Sequence, residues 1–414
     1  MTGRPARRRR RRPTQWVRRT LGLVGAGTLA DAVLAACTSS ATVPAAPDAG
    51  PAVSIPLTSG SASGGAGWAT LAMGHLDQPL NTFWELFRLS PDSSTWQLET
   101  PRGVASNGGL VTSVSASGAV LVGFVASQFL RFSPLALSAD GGRTWQTSVL
   151  QWALASVPDS LALSGPGGAL ALLRSGQAVP LLGGTSGGVV RASAGLSTWS
   201  ALVSTGALAA ESAAAPCHLR AITAVAYRPG SSRPVVGARC AGTDRVGIFG
   251  QQGGGWVSLG PVVAGSSGTE VVRLDDTAAG LSVLVRAGSG TSARVVALWG
   301  SGAPGTAWAT SPALPLAGTT LRSTATTPTG GYVILGSART GSGRRSAATI
   351  EPTSRSWRRL DPPPAGTASV VSTPSGGFDT LDPDQSTLLV DSLTARGWVR
   401  TQSLAVPVPY GSSG

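Results

Sequence analysis

The chain has 414 residues, of which 42% are hydrophobic and 12% charged, so it holds enough apolar material for a folded core. Its 56 glycines and 29 prolines, set between short apolar runs, predict many brief strands. All 32 basic residues are arginine, which excludes a Schiff-base lysine and a phosphate-binding lysine loop. The net charge of +13 falls to +5 without residues 1–36, which hold nine arginines and one aspartate, so the sequence does not favour a nucleic-acid partner.

Residues 1–36 have the order of an export signal: a basic stretch, a short apolar segment and a small-residue end. The apolar segment, Thr20–Leu34, is about 15 residues long and contains Asp31, so it is too short and too polar to span a bilayer stably. The ending "LAAC" resembles the bacterial lipoprotein box, which implies that Cys37 is lipidated and becomes the N-terminus. The alternative is an ordinary secretory peptide with an incidental cysteine.

Residues 37–56 are rich in Ser, Ala and Pro, which predicts a flexible tether. The lipoprotein resemblance implies a protein anchored to the outer face of the cytoplasmic membrane through Cys37, with secretion as the alternative. The segment "RRTLGL", Arg18–Leu23, is similar to a twin-arginine signal, so the general secretory route and the twin-arginine route both stay open.

Seven tryptophans recur at intervals of 41 to 57 residues along the rest of the chain. Each follows a polar or glycine-rich turn, each turn follows a short apolar run, and two further apolar runs lie upstream. Units of this length with about four strands are typical of β-propeller blades. The repeat tryptophans are Trp96, Trp145, Trp199, Trp256, Trp308, Trp357 and Trp398.

The sequence therefore predicts an all-β, seven-bladed β-propeller over residues 57–409, followed by a tail, 410–414. Six or eight blades are also possible, because the first repeat looks one strand short. Its missing strand could come from residues 50–57 or from "LAVPVPY" near the C-terminus, where the two prolines would restrict it to an edge position.

The most distinctive turn is "SADGGRTW", which matches the Asp-box (BNR) pattern S-x-D-x-G-x-T-W at every fixed position. Ser and Asp side chains accept hydrogen bonds from turn amides, glycine permits positive φ, and tryptophan packs beneath the turn. The chain thus resembles the Asp-box propellers of the sialidase and sortilin-like superfamily, in which this hairpin joins the third and fourth strands of a blade. We expect Ser138, Asp140, Gly142, Thr144 and Trp145 to be structural. The sharper alternative makes Asp140 a calcium ligand or a catalytic acid.

Cys217 and Cys240 flank two apolar runs that meet at the turn Arg228–Ser231, midway between them. Residues placed in this way face each other across an antiparallel hairpin, and an exported compartment permits the bond. We predict a Cys217–Cys240 disulfide, with two buried free thiols as the alternative.

Asp-box families include both enzymes and receptors, so the fold does not choose a function. A sialidase-type site needs an arginine cluster for the substrate carboxylate, a Tyr/Glu pair and an acid/base aspartate, and the Arg-Ile-Pro motif that opens such domains is absent. Of the three tyrosines, Tyr227 borders the hairpin turn, Tyr410 is in the tail, and Tyr332 has no evident acidic partner.

A hydrolase with two carboxylates would need acidic residues on loops at the inner ends of the blades. We expect the acids there to be solvated loop charges. They are Asp77, Asp244, Glu211, Glu270, Asp361, Asp382 and Asp384. His75 and His218 are the only histidines, too few for a His-based zinc site, and no metal or cofactor is predicted.

Four arginines lie 11 to 14 residues before a repeat tryptophan, near the start of a predicted third strand: Arg131, Arg245, Arg294 and Arg345. In a propeller these positions lie at the face opposite the Asp-box turns, where they could converge on a carboxylate or a phosphate. The alternative, which we favour, is that they cover strand ends and bond loop carbonyls.

Together these features predict a monomeric cell-envelope lipoprotein whose propeller binds or scaffolds a protein or glycan partner. The alternative function is that of a sialidase-like glycoside hydrolase.

Overall fold

The computed structural model describes residues 55–407 except 64, 77, 79–80, 103–106, 128–129, 165–167, 185–186, 243 and 339–343. The predicted export signal, Cys37, nearly all of the predicted tether and the tail lie outside the described residues.

Within the described residues, the strands follow one another in seven successive antiparallel units, one for each repeat tryptophan. In each unit the chain runs from an innermost strand outward to a fourth strand. That fourth strand begins within one residue of the repeat tryptophan in every unit, as the sequence predicts.

The first three units hold twelve strands. Unit one comprises β1 (Ser59–Ser61), β2 (Gly67–Gly74), β3 (Thr82–Leu89) and β4 (Trp96–Leu98). Unit two comprises β5 (Leu110–Val114), β6 (Val120–Phe124), β7 (Ser133–Ser138) and β8 (Gln146–Leu150). Unit three comprises β9 (Leu161–Leu163), β10 (Ala169–Leu173), β11 (Gly188–Ala192) and β12 (Trp199–Ser204).

The next two units follow a short helix, α1 (Thr205–Ala210), and a 3₁₀ segment (Ser212–Cys217). Unit four comprises β13 (Leu219–Tyr227), β14 (Pro234–Cys240), β15 (Gly247–Gln252) and β16 (Gly255–Ser258). Unit five comprises β17 (Thr269–Thr277), β18 (Gly280–Ala287) and β19 (Arg294–Gly300), with a fourth strand in two pieces, β20 (Ala309–Thr310) and β21 (Leu314–Pro315).

Two more units complete the series. Unit six comprises β22 (Thr319–Thr326), β23 (Tyr332–Ala338), β24 (Arg345–Ile350) and β25 (Arg358–Arg359). Unit seven comprises β26 (Ser369–Ser372), β27 (Phe378–Asp384), β28 (Thr387–Thr394) and β29 (Gly397–Ala405).

Successive units pack against each other, and the seventh packs against the first. The units are therefore the blades of a closed ring, and the predicted all-β propeller fold is confirmed. Its two ends differ. One end, the turn face, carries the turns that join first to second and third to fourth strands, including the Asp-box turn. The other, the loop face, carries the loops between second and third strands and the connections between blades.

Burial falls from the inside of a blade to its outside. The second strands of blades two and three, β6 and β10, are buried at every position, because blades flank them on both faces. This explains their continuous apolar sequences, "VLVGF" and "ALALL". The fourth strands β8 and β29 are mostly exposed and accordingly carry polar residues.

The inner strand of blade one, β1, has two partners. It pairs antiparallel with β2 and parallel with β22 of blade six. Gly60 allows this close approach, because a Cβ there would lie 2.8 Å from Val371 Cγ1 of blade seven. The predicted source of this strand was wrong: it comes from Ser59–Ser61 and not from residues 50–57, and the C-terminal segment Gly397–Ala405 already forms the outer strand of blade seven.

In blades five, six and seven the indole N–H of the repeat tryptophan donates to a backbone carbonyl of the preceding blade, at or just beyond its fourth strand. The pairs are Trp308 with Leu259 (2.7 Å), Trp357 with Pro312 (2.9 Å) and Trp398 with Asp361 (3.0 Å). These indoles thus lie between blades, whereas the sequence led us to place them beneath their own turns. Trp145, Trp199 and Trp256 make no such bond among the described residues, and the indole N–H of Trp199 is buried without a partner.

Blade one has no earlier neighbour in the chain, and its tryptophan closes the ring instead. The indole N–H of Trp96 donates to Asp379 Oδ2 of blade seven at 2.9 Å. The backbone N–H and carbonyl of Trp96 are both held by the side-chain amide of Gln402, at 2.8 and 2.7 Å. Burial raises the pKa of Asp379, and the hydrogen bonds from Trp96 and Ser392 oppose that rise. We call Trp96, Asp379 and Gln402 the closure latch.

We expect Trp96→Phe to lower the free energy of unfolding by about 1–3 kcal/mol more than Trp68→Phe, because the buried Asp379 carboxyl group loses a donor. Trp68 is a matched control for the lost ring volume, since both indoles are fully buried. Urea unfolding followed by circular dichroism measures the difference. Equal losses in the two variants would show that the latch adds nothing beyond packing.

Candidate functional site

The Asp-box turn lies between β7 and β8, and its polar groups bond to one another. Ser138 Oγ accepts from the Gly142 N–H and donates to Asp140 Oδ1, both at 2.8 Å. The Asp140 carboxylate accepts from the Thr144 amide at 2.9 Å and from the Thr144 hydroxyl at 2.7 Å. These bonds from Thr144, followed by the bond from Ser138, lower the pKa of Asp140 to about 2. In this geometry Asp140 stabilises the turn.

Cys217 and Cys240 form a disulfide with an S–S distance of 2.08 Å, which confirms the predicted pairing. The bond ties the segment before β13 to the end of β14. A disulfide of this kind indicates an oxidising, extracytoplasmic compartment. In the part of the chain that the structure describes, no helix is long and apolar enough to cross a membrane.

The four arginines singled out in the sequence do not share a contact. Arg294 donates to the carbonyl of Ala264 at 2.6 Å, and Arg345 donates to the carbonyl of Thr367. Arg131 and Arg245 are exposed. Among the described contacts none joins two of the four, so two of them bond loop carbonyls and two face solvent.

The candidate carboxylates are also dispersed. Asp244 caps a loop by accepting from the Ser266 amide at 2.7 Å. Glu270 is buried and lies 3.5 Å from Arg286, so it is not the solvated charge that we expected. Burial raises the pKa of Asp382, and Arg345 opposes that rise. Of the other candidate carboxylates, Glu211 is half-buried, and Asp361 and Asp384 are exposed. The two histidines, His75 and His218, are exposed as well. Asp77 and Tyr410 lie outside the described residues.

Sequence reasoning missed a buried polar cluster centred on Arg273 of β17. Its Nε lies 2.9 Å from Asp159 Oδ1 of blade three, and its Nη2 lies 2.8 Å from Asp275 Oδ1. Its Nη1 donates to the carbonyls of Gly60 in blade one and Thr324 in blade six, at 3.1 and 3.3 Å. Four blades of a ring meet only near its axis, so we call this group the axial cluster.

Tyr332 belongs to the same cluster. Its fully buried hydroxyl donates to Asp275 Oδ2 at 3.2 Å, so the expectation that this tyrosine lacks an acidic partner was wrong. Burial, followed by the negative charge of Asp275, raises the pKa of Tyr332 well above its ordinary value. The phenol is therefore neutral and acts as a donor.

Two effects oppose each other at Asp159. Burial raises its pKa to about 7, whereas Arg273 favours the charged form. The geometry decides for the charged form, because both carboxylate oxygens accept from N–H groups, of Arg273 and of the Leu274 amide at 2.6 Å. A neutral carboxylic acid would turn one of these acceptors into a donor. Asp159 is therefore the counterion of Arg273.

The axial cluster contains the groups that acid–base chemistry uses, but it is closed to a substrate. The side chains of Arg273 and Asp159 are 5% and 7% exposed, and their hydrogen-bonding groups serve one another. Asp276, at the exposed end of β17, is the nearby carboxyl that titrates. Partial desolvation, followed by the charge of Asp275, raises the pKa of Asp276 to about 6. The cluster thus holds inner strands together.

A different feature stands out on the loop face. Of the seven large hydrophobic side chains exposed among the described residues, five lie there, with exposed fractions from 37% to 55%. Four occupy the loops between the second and third strands of three consecutive blades, and one lies in the connection between blades four and five. They are Leu76 in blade one, Leu130 and Phe132 in blade two, Leu181 in blade three and Val262 in the connection. We call these five residues the apolar rim.

A side chain of blade three holds the blade-two loop that carries Leu130 and Phe132. Arg174 donates to the carbonyl of Ala126 at 3.5 Å and to that of Leu130 at 3.4 Å. Arg131 stands exposed between Leu130 and Phe132, and Arg245 pairs through its backbone with Val262. The loop face therefore offers apolar side chains with cations among them, a combination typical of docking surfaces.

No protein-family model matches the chain, and no curated protein matches it. Among solved structures it is similar to a GH74 xyloglucanase from Xanthomonas campestris, with 13% identity, a TM-score of 0.50, and coverage of 81% of this chain and 52% of that one. A putative 6-phosphogluconolactonase from Bacteroides uniformis gives 13% identity, a TM-score of 0.49, and coverage of 82% and 97%. A prolyl endopeptidase gives 11% identity, a TM-score of 0.47, and coverage of 84% of this chain and 50% of that one. The chain spans about half the length of the xyloglucanase, and the likeness to that enzyme shows the fold alone.

We expect Arg273→Met to lower the free energy of unfolding by about 3–5 kcal/mol, because the buried Asp159 and the half-buried Asp275 lose their cation. Arg396→Met is the control: Arg396 lies exposed on the turn between β28 and β29 and has no carboxylate partner among the described residues, so its loss costs at most about 0.5 kcal/mol.

The same variant has a pH signature. Without its cation, the buried Asp159 has a pKa far above its value in the unfolded chain, so the folded state binds the extra proton. The stability of Arg273→Met therefore rises relative to wild type as the pH falls from about 9 to about 7, the pKa of Asp159 in the wild type, and below that value both folded proteins bind the proton. Urea unfolding from about pH 9 to about pH 7 tests this expectation, and parallel stability profiles of the two proteins in that range would contradict the assignment.

Proposed function

We propose that this protein is an exported β-propeller that acts as a binding module at the cell envelope, with a protein partner docked on the loop face. The observation that carries the proposal is the apolar rim, which gathers five of the seven exposed large hydrophobic side chains of the described residues on one face. Apolar side chains gathered on one surface of a soluble domain mark a place where another surface binds.

The chemistry of the rim favours a protein over a glycan. Leu76, Leu130 and Leu181 are aliphatic, and aliphatic side chains bury well against other apolar side chains but offer no hydrogen bonds to sugar hydroxyls. Phe132 and Arg131 are of the residue types enriched at the centres of protein interfaces.

The N-terminal sequence supplies the location in this proposal. The ending "LAAC" supports lipidation of Cys37, and the disulfide fits an oxidising compartment outside the cytoplasm. The segment 37–56 would then hold the propeller away from the membrane surface. The hydrogen bonds of Ser138, Asp140 and Thr144 support a place among the Asp-box propellers.

A sialidase-like glycoside hydrolase is the second candidate, and one observation favours it. Tyr332 donates to Asp275 beside Arg273, which is the kind of phenol, carboxylate and guanidinium set that such chemistry needs. Burial of this set counts against it, because a saccharide could not reach the carboxylates without opening the ring. Release of dye from fluorogenic glycosides by the purified protein, lost in Asp275→Asn, would favour this second function.

The test of the binding function places a photo-crosslinking amino acid at Phe132 and, as the control, at Val399. The two side chains are 41% and 43% exposed, but Val399 lies on the outer strand of blade seven. The full chain is expressed in the cells that naturally make it, irradiated, and purified under denaturing conditions. We expect a discrete heterologous adduct from position 132 and none from position 399.

Mass spectrometry then identifies the crosslinked species. One protein attached at residue 132, and displaced when Leu130→Asp is added, supports the proposal. No adduct, the same adducts at both positions, or a product that contains only a second copy of this chain would contradict it.

A further inference from the structure

The turn face carries an open depression of about 580 Å³, at the opposite end of the propeller from the apolar rim. Three blades line it: the β13–β14 turn provides Arg228 and Pro229, the β17–β18 turn provides residues 278–280, and the β24–β25 turn provides Pro352 and Arg355. The volume lies in the range of small-molecule sites.

The floor and one wall of this depression are fixed by internal bonds. The indole of Trp299 donates to the carbonyl of Gly330 at 2.8 Å, so the ring is held in place at the base. The Arg228 backbone is clamped within its turn, because its N–H donates to the Arg233 carbonyl at 2.9 Å and its carbonyl accepts from Ser231 Oγ at 3.0 Å. The Arg228 guanidinium therefore extends from a rigid base.

The two lining arginines, the half-buried Arg228 and the exposed Arg355, differ in their contacts from the arginines described above. Arg273 and Arg400 have carboxylate partners, and Arg294 and Arg345 donate to carbonyls. In the described part of the chain, the guanidinium groups of Arg228 and Arg355 have neither an ion-pair partner nor a hydrogen bond. Among the described residues that line the depression there is no carboxylate, histidine or thiol to compensate the positive charge.

Glu351 directly precedes the lining residue Pro352, but its carboxylate is engaged elsewhere. It accepts from the Thr327 hydroxyl at 2.9 Å and also from the Thr329 hydroxyl. On the far side of Arg228, a narrow cleft is lined by a further cation, Arg233. Asp276 precedes the β17–β18 turn but is not among the lining residues, so the charge of the lining itself favours an anion.

We propose that this depression binds a small organic oxyanion, a carboxylate- or phosphate-bearing molecule, with Arg228 and Arg355 as the charged contacts. Guanidinium groups pair with both anions through two parallel N–H donors. Pro229, Ala279 and Pro352 provide the apolar walls for a carbon skeleton. The proposed role is binding, and it is independent of the partner surface on the loop face.

The test uses the disulfide-bonded, purified protein and isothermal titration calorimetry at low ionic strength. Citrate is the carboxylate probe and pyrophosphate is the phosphate probe. Arg228→Gln and Arg355→Gln remove the two cations separately. Arg396→Gln is the matched control, because Arg396 is an exposed arginine on the corresponding turn one blade further along, between β28 and β29.

We expect at least one probe to bind with a Kd of about 1 mM or tighter. Each of the two lining variants should weaken it about tenfold, and Arg396→Gln should leave it unchanged. The stronger probe assigns the ligand as a carboxylate or a phosphate. Absence of binding by both probes, or equal weakening by Arg396→Gln, would overturn the proposal.

Discussion

The propeller depends on the contacts between neighbouring blades, and four of its seven repeat tryptophans make one of these contacts by donating the indole N–H group across the boundary. A blade alone is a small sheet with two apolar faces, and it becomes stable only when neighbours cover both. Trp308, Trp357 and Trp398 each fix this arrangement by reaching the backbone at the outer strand of the previous blade. In these blades the repeat tryptophan therefore marks a contact between neighbouring blades.

Ring closure requires the first blade to contact blade seven, which lies at the other end of the propeller sequence. The closure latch meets this demand with side chains: Asp379 accepts from the indole, and Gln402 pairs with the backbone of Trp96. At the axis, Arg273 provides a second closure by joining four blades through one guanidinium. The polar groups at the centre of the ring are thus used for holding the blades, which leaves binding to the two end faces.

The two ends differ in chemistry. The loop face presents the apolar rim, and the turn face presents an uncompensated pair of guanidinium groups beside small apolar side chains. A propeller can keep both surfaces because its inner strands are rigid and its loops tolerate variation in sequence. The Cys217–Cys240 disulfide indicates that these surfaces lie outside the cytoplasm, in agreement with the export signal and tether that the sequence predicts.

Features with local causes could be predicted from the sequence. The position of the outer strands follows from turns that immediately precede each tryptophan, and the disulfide follows from two cysteines placed symmetrically about one hairpin. The axial cluster could not be predicted, because Arg273 lies 114 residues from Asp159 and 213 from Gly60. One signal was present, however: Arg273 is a charge within the apolar run "EVVRL", and a charge facing a core needs a partner. The source of β1 was missed because this strand is only three residues long, Ser-Gly-Ser, and such a segment carries almost no strand signal.

The most direct measurement for the closed ring is hydrogen exchange of the indole protons by NMR on protein labelled with ¹⁵N-tryptophan. The account predicts that the Trp96 indole proton exchanges only through global unfolding, far more slowly than that of Trp145, whose indole has no hydrogen-bond partner among the described residues. Exchange of the Trp96 proton at the rate of Trp145 would contradict closure of the ring through blade seven.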